Sequence, residues 1–225
     1  SGFIYGGKNS GPIIYFAYSI ASLGRGFPQI MNIPIFPLNT VLFPGGCLPL
    51  KIFEPRYLDM VSHCLKTESG FGICLIKEGR EIGGAAIVHS VGTLCEISYF
   101  NAQADGLLGI TAAGKQRFKI ISSDVKPDQL RLANIELLDN EATSEIDPIH
   151  SVSIDLLKKL FGQLGQPYTK MPKNFDCASW VSSRLTELLP FSLRKKQLLL
   201  EMSDPNARLT KIQSIMHLMA TNKPG

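Results

Sequence analysis

Between about residue 31 and residue 140 the apolar positions come in short runs broken by glycine, proline and charge. Beyond residue 145 they recur three and four apart. The first texture is that of strands and the second that of amphipathic helices. Strands are predicted over residues 33–38, 40–43, 48–53, 71–76, 86–91, 93–99, 107–111, 117–121 and 132–138. Asp105-Gly106 and Gly114-Lys115 read as turns beside two of them, Gly114-Lys115 as a hairpin.

The densest signal lies in residues 33–57, where prolines and glycines interrupt an almost wholly apolar run. Proline lacks a ladder donor and fixes φ, so it belongs at strand ends, edges and bulges. At Glu54-Pro55-Arg56-Tyr57 the period changes. Tyr57, Val61, Cys64 and Leu65 share one helical face, and Pro55 suits the first turn. Later, Asp147-Pro148 opens a helix whose apolar face is Ile149, Val152, Leu156, Leu157 and Leu160, with Gly162 or Gly165 to stop it. Residues 165–175 read as a loop and 176–189 as a helix ended by Pro190. Ser192 caps a helix through Met202, and Asp204-Pro205 starts a last one with a Leu209, Ile212, Met216, Met219 stripe, read as core packing.

These signals order the chain as residues 1–30, a β domain with one early helix over 31–140, a polar linker over 141–145, and a helical subdomain over 146–221. Many short strands with glycine-rich turns indicate a barrel-like β unit, and strands followed by helices indicate the α+β class. Residues 1–30 contain no acidic residue, and residues 13–20 form an apolar run too short to span a bilayer. Met31 stands where a natural start would fall, so 1–30 are expected to be an engineered or upstream extension. A secretion signal is the competing reading.

Composition narrows the class. The 225 residues are 44% apolar and 19% charged with a net charge of +4, the profile of a soluble globular protein. Cys47, Cys64, Cys74, Cys95 and Cys177 are odd in number, lack C-x-x-C spacing and have apolar neighbours. Reduced, largely buried thiols and a cytoplasmic location are expected. His63, His89, His150 and His217 pair with no cysteine at ligand spacing, so no metal is expected.

The block 33–57 resembles the opening of the amino-terminal, substrate-binding domain of Lon proteases, a domain that also occurs on its own. Gly92-Thr93-Leu94-Cys95-Glu96-Ile97, Gly114 through Ile120, Leu188-Leu189-Pro190, Lys196 through Glu201 and Arg208-Leu209 follow in that family's order. The resemblance runs from about Met31 to Leu218 and implies a PUA-like pseudo-barrel followed by a helical bundle. It also implies binding of unfolded or extended polypeptide clients, in protein quality control, without the ATPase and serine–lysine peptidase modules of full-length Lon.

The residues agree with a non-enzyme. Gly109 through Gln116 imitates a phosphate loop, but Gln116 replaces the magnesium-binding hydroxyl and the next residues alternate like a strand. No nucleophile–base pattern is evident, and no nucleotide or organic cofactor is required. Candidate partner-binding residues are Phe36, Leu38, Phe43, Phe53, Glu54, Arg56, Tyr57 and Arg117. Glu54 is expected to pair with Arg56 or Arg117. RNA binding through a basic face of Arg117, Lys119 and Arg194 to Lys196 is a second reading, and a hydrolase with dispersed residues a third. Oligomeric state is left open.

Overall fold

The structure, a computed structural model, describes residues 30–102, 108–141, 145–166, 168–169 and 171–221. The apolar run 13–20 and the Asp105-Gly106 turn lie outside the described residues. Among the described residues there are seven strands: β1 (Ile30–Leu38), β2 (Cys47–Ile52), β3 (Phe71–Glu78), β4 (Ile87–Val88), β5 (Val91–Ala102), β6 (Leu108–Val125) and β7 (Arg131–Leu137). The helix α1 (Pro55–Thr67) comes early, and α2 (Ser151–Phe161), α3 (Ala178–Leu188), α4 (Leu193–Glu201) and α5 (Pro205–Thr221) follow the strands. The α+β class is the one the strand-then-helix order predicts.

The strand order is β1-β7-β6-β5-β3-β4, with β2 added to β6. Every pairing is antiparallel except one. The second half of β1 turns to β3 and pairs with it in parallel, from Ile35 opposite Gly72 to Leu38 opposite Leu75, which closes the sheet into a barrel. The α1 face of Tyr57, Met60, Val61 and Cys64 packs on Phe36, Phe71 and Ile73. A second cluster, centred on Ile33, Ile35 and Phe118, lies among β1, β3, β6 and β7. The late helices bury Leu157, Leu185, Leu209 and Ile212 with Val41, Phe43 and Leu75 from the strand region.

Several local expectations change in the folded chain. The two strands expected over 107–111 and 117–121 are not joined by a hairpin: residues 108–111 and 117–121 belong to the single 18-residue β6. Gly114-Lys115 is a bulge there, since Leu94 faces Gln116 whereas Cys95 faces Gly114. Glycine is needed because a Cβ at 114 would lie 2.5 Å from the Phe43 carbonyl oxygen. Residues 41–43 are irregular rather than a strand: Phe43 N–H donates to Glu187 Oε1 at 2.8 Å instead of to a ladder. The strand expected over 86–91 shrinks to β4, while β5 runs through Gly92.

The helix after Asp147 starts as a 3₁₀ turn, with Asp147 accepting from Ile149 N–H at 3.0 Å. Its buried face is rotated from the expected one. Ile149 and Val152 are 68% and 72% exposed, whereas His150 and Ser153 are buried against Gln213 of α5. In α5, Leu209 and Ile212 are core as expected, but Met219 is exposed.

The stretch after β7 holds a buried carboxylate. Glu141, 7% exposed at its side chain, lies between Arg117 of β6 and Arg208 of α5. Glu141 Oε1 is 3.5 Å from Arg117 Nη2, and Arg208 donates to both Glu141 oxygens. Arg117 also donates to the carbonyls of Leu200 and Met202 at 2.9 and 2.8 Å, and Arg208 to those of Leu199 and Met202 at 2.9 and 2.7 Å. Burial pulls Arg117 below the usual guanidinium range, with Glu141 opposing that shift.

Two stability predictions follow from this packing. Glu141→Gln leaves two buried guanidinium groups without their shared counter-charge. It should cost about 3–5 kcal/mol, measured as a lower urea midpoint at unchanged slope. Gly92→Ala places a Cβ 2.5 Å from both Cys74 Sγ and the Ile73 carbonyl oxygen. Overpacking there should cost roughly 1–3 kcal/mol in the same measurement, with the far-ultraviolet spectrum retained.

Candidate functional site

The site begins with a half-used strand. β1 pairs with β7 from Ile30 to Ile35, but its ladder to β3 starts only at Ile35. Among the described residues, Ile30 to Pro34 therefore have a β partner on one side alone. On the other side the chain entering β3 swings away. Glu68 ends α1 with φ of 53°, and Gly70 presses so close to β5 that a Cβ would lie 2.6 Å from the Cys95 carbonyl oxygen.

A groove of about 880 Å³ occupies the resulting gap. That volume is within the range of ligand and peptide sites, roughly 300–1,000 Å³. Its apolar walls include Met31 and Ile33 of β1, Met60 of α1, Leu94 of β5, and Leu132 and Leu137 of β7. Its polar positions include Asp59, His63, Glu96, Lys115, Lys126 and Asp128. Lys115 Nζ is 2.8 Å from Glu96 Oε2, and Lys126 Nζ 3.8 Å from Asp128 Oδ2. Partly exposed pairs of this kind neutralise charge while contributing little stability.

Arg56 stands at the end of the groove formed by α1. Its Nη1 donates to the Gln129 carbonyl at 2.9 Å, and Nη2 lies 2.8 Å from Glu54 Oε2. The guanidinium carbon sits 4.6 Å from the centroid of the Tyr57 ring. Gln129 adopts φ of 67°, a left-handed conformation that strains a non-glycine residue. The groove wall at this end is thus held by a fixed cation, its counter-ion and a tight turn.

Of the residues expected at a binding surface, Phe36, Leu38 and Phe43 are buried. Phe36 and Leu38 pack under α1, with the Phe36 ring centroid 4.3 Å from that of Tyr57, and Phe43 packs among the late helices. Tyr57 is 4% exposed, and burial pushes its hydroxyl up to about 12. Phe53 is 52% exposed, the one accessible aromatic ring among the expected set. Glu54 does pair with Arg56, though its side chain makes no capping hydrogen bond to α1. Arg117 pairs with Glu141 rather than Glu54 and is 3% exposed, so it joins no surface with Arg194, Lys195 and Lys196. Lys196 donates instead to the Glu187 carbonyl at 2.7 Å.

Residue reasoning missed most of the groove wall. Met31, Asp59, His63, Leu94, Lys115 and Leu137 come from four strands and a helix, with no local pattern to join them. One signal was present. Pro34 inside an apolar strand marks a position where a missing donor is tolerated.

The other candidate chemistry stays dispersed. The phosphate-loop imitation lies within β6, with no helix opening after Lys115. Among the described residues no group of three or more His, Cys, Asp or Glu could hold a metal ion. All five cysteines are free, and desolvation raises the thiols of Cys47, Cys64, Cys74 and Cys95. Among the described residues no helix is long and apolar enough to cross a membrane.

Known proteins place this geometry in context. The family described as the ATP-dependent protease La (LON) substrate-binding domain matches residues 32–217. Lon protease 2 of Myxococcus xanthus is 22% identical over 198 residues, which are 84% of this chain and 24% of that protein. Protein cereblon of Gallus gallus is 27% identical over 167 residues, 67% of this chain and 36% of that protein. The chain spans about a quarter of the length of the Lon proteases it matches. The crystal structure of a Lon N-terminal domain protein from Xanthomonas campestris superposes with a TM-score of 0.70 at 32% identity, covering 82% of this chain and 98% of that one. The N-terminal domain of a Mycobacterium avium complex Lon protease shares the fold, with a TM-score of 0.56 at 17% identity, covering 81% and 96%. The barrel, the helices behind it and the match across nearly the whole described chain lead to one assignment: this protein belongs to the LON substrate-binding domain family.

Proposed function

We propose that this chain captures segments of other polypeptides in the groove beside β1 and performs no chemistry on them. The observation that carries the reading is the groove itself: apolar walls, a neutralised rim and a strand edge with no ladder partner among the described residues. Such a site recognises what a folded protein hides, namely apolar side chains and unpaired backbone groups. Phe53 is an accessible ring beside the start of α1, and Arg56, buried and held by Glu54, lines the groove. Tyr57, Phe36, Leu38 and Phe43 support it from the core, and Arg117 ties the barrel to the helices behind.

Clients of this kind are unfolded or extended chains, which fits a role in protein quality control within the cytoplasm. The five free thiols, four of them buried, suit a reducing compartment. Reversible capture needs no cofactor. RNA binding loses its main support, because Arg117 is spent on Glu141 and two carbonyls.

The test is fluorescence anisotropy with a carboxymethylated, permanently unfolded protein as ligand and a labelled ATP analogue as control. The unfolded protein should bind and the nucleotide should not. Met31→Ser, which removes one apolar wall, should weaken the polypeptide complex about tenfold, or ~1.4 kcal/mol. Tight nucleotide binding without polypeptide binding would contradict the proposal.

A further inference from the structure

The groove has a backbone wall as well as side-chain walls, and the two together define what fits. Pro34 has no amide hydrogen. Backbone groups two residues apart in a strand point to the same side. Pro34 is the last residue before the ladder to β3 begins, so the side lacking its donor is the open one. The backbone of Asn32 then faces the same open side. Its side chain is committed elsewhere, since Asn32 Nδ2 donates to Asn134 Oδ1 of β7 at 2.9 Å.

Charge adds a second constraint. The groove's cations are each matched: Arg56 by Glu54, Lys115 by Glu96 and Lys126 by Asp128. Asp59 on the exposed side of α1 lines the same groove. Its α1 neighbour one turn earlier, Arg56, is already paired with Glu54. The groove therefore carries an acidic bias at its helical wall.

We infer that the occupant enters as an extended strand alongside Ile30 to Pro34, and that Asp59 selects segments carrying a lysine or arginine among their apolar residues. This rests on the polypeptide-binding reading above. The partner is an unfolded segment with alternating apolar side chains and a basic residue. Main-chain hydrogen bonds to the Asn32 edge supply register, the apolar wall takes every second side chain, and Asp59 takes the cation.

The probe is a labelled decapeptide alternating leucine and serine, with one central serine replaced by lysine, titrated into the full chain. N-methylation of alternate amides should weaken binding about tenfold in one set of positions and hardly at all in the other. Hydrogen exchange at the Asn32 amide should slow on binding. Asp59→Asn should weaken the lysine peptide roughly two- to fivefold and leave its glutamine counterpart unchanged. If every N-methylated peptide binds equally and Asn32 exchange is unaltered, the strand mode is wrong although polypeptide capture stands. If Asp59→Asn affects both peptides alike, the selection of basic segments is wrong. If neither peptide binds, or the chain instead dimerises through this edge, the groove assignment and the inference fail together.

Discussion

The buried carboxylate of Glu141 is the constraint on which the rest of the architecture depends. Arg117 belongs to β6, the longest strand of the barrel, and Arg208 to α5, the longest helix. Two guanidinium groups at 3% and 0% exposure repel one another in a medium that screens poorly. One carboxylate between them, with carbonyls from the end of α4 and the turn after it, makes that arrangement tolerable. Such a network specifies geometry more than it stabilises, because a misregistered helix would strand a buried charge. It also fixes Leu200 and Met202, and through them the seat of α5 against the barrel.

A second joint works in the same direction. Arg184 of α3 is fully buried, donates to the Pro44 carbonyl at 3.0 Å and pairs with Glu187 one turn later. Glu187 in turn accepts the Phe43 N–H. Burial raises the Glu187 carboxyl, while Arg184, the Phe43 amide and Lys196 pull it back. The irregular segment 41–46 is thus held from both sides: α3 bonds Phe43 and Pro44, while Thr93 of β5 donates to the Leu42 carbonyl and Gly114 of β6 bonds to Gly45 and Gly46. Barrel and helices are fastened by polar contacts as well as by apolar burial.

The groove follows from how the barrel closes. A strand can pair on both sides only where both neighbours are present, and β1 changes partner halfway along. Its first half holds β7 and its second half also holds β3. A gap remains where α1 delivers the chain into β3. The bulge at Gly114-Lys115 turns β6 so that Lys115 and Gln116 reach the same gap. The barrel thus leaves open the kind of surface an extended segment can occupy.

The sequence alone settled the order of elements and their class, because spacing of apolar residues and helix-start signals are local properties. The turn of α1 at Pro55, the cap at Ser192 and the start of α5 at Pro205 were all legible in this way. The Pro-rich opening also pointed to the right family. Which glycine is a turn and which a bulge was not legible. Gly114 and Gly92 are demanded by Phe43, Cys74 and Phe118, which are far away along the chain. Exposure of Phe53 against burial of Phe36 under α1 and of Phe43 among the late helices was likewise a matter of tertiary packing. Charge partners and the groove belonged wholly to the tertiary structure: Glu141 meets Arg208 across 67 residues, and the groove wall joins Met31 to Leu137. Apolar periodicity tells a residue to be inside an element's buried face; only the assembled barrel decides which faces meet and where one is left without a neighbour.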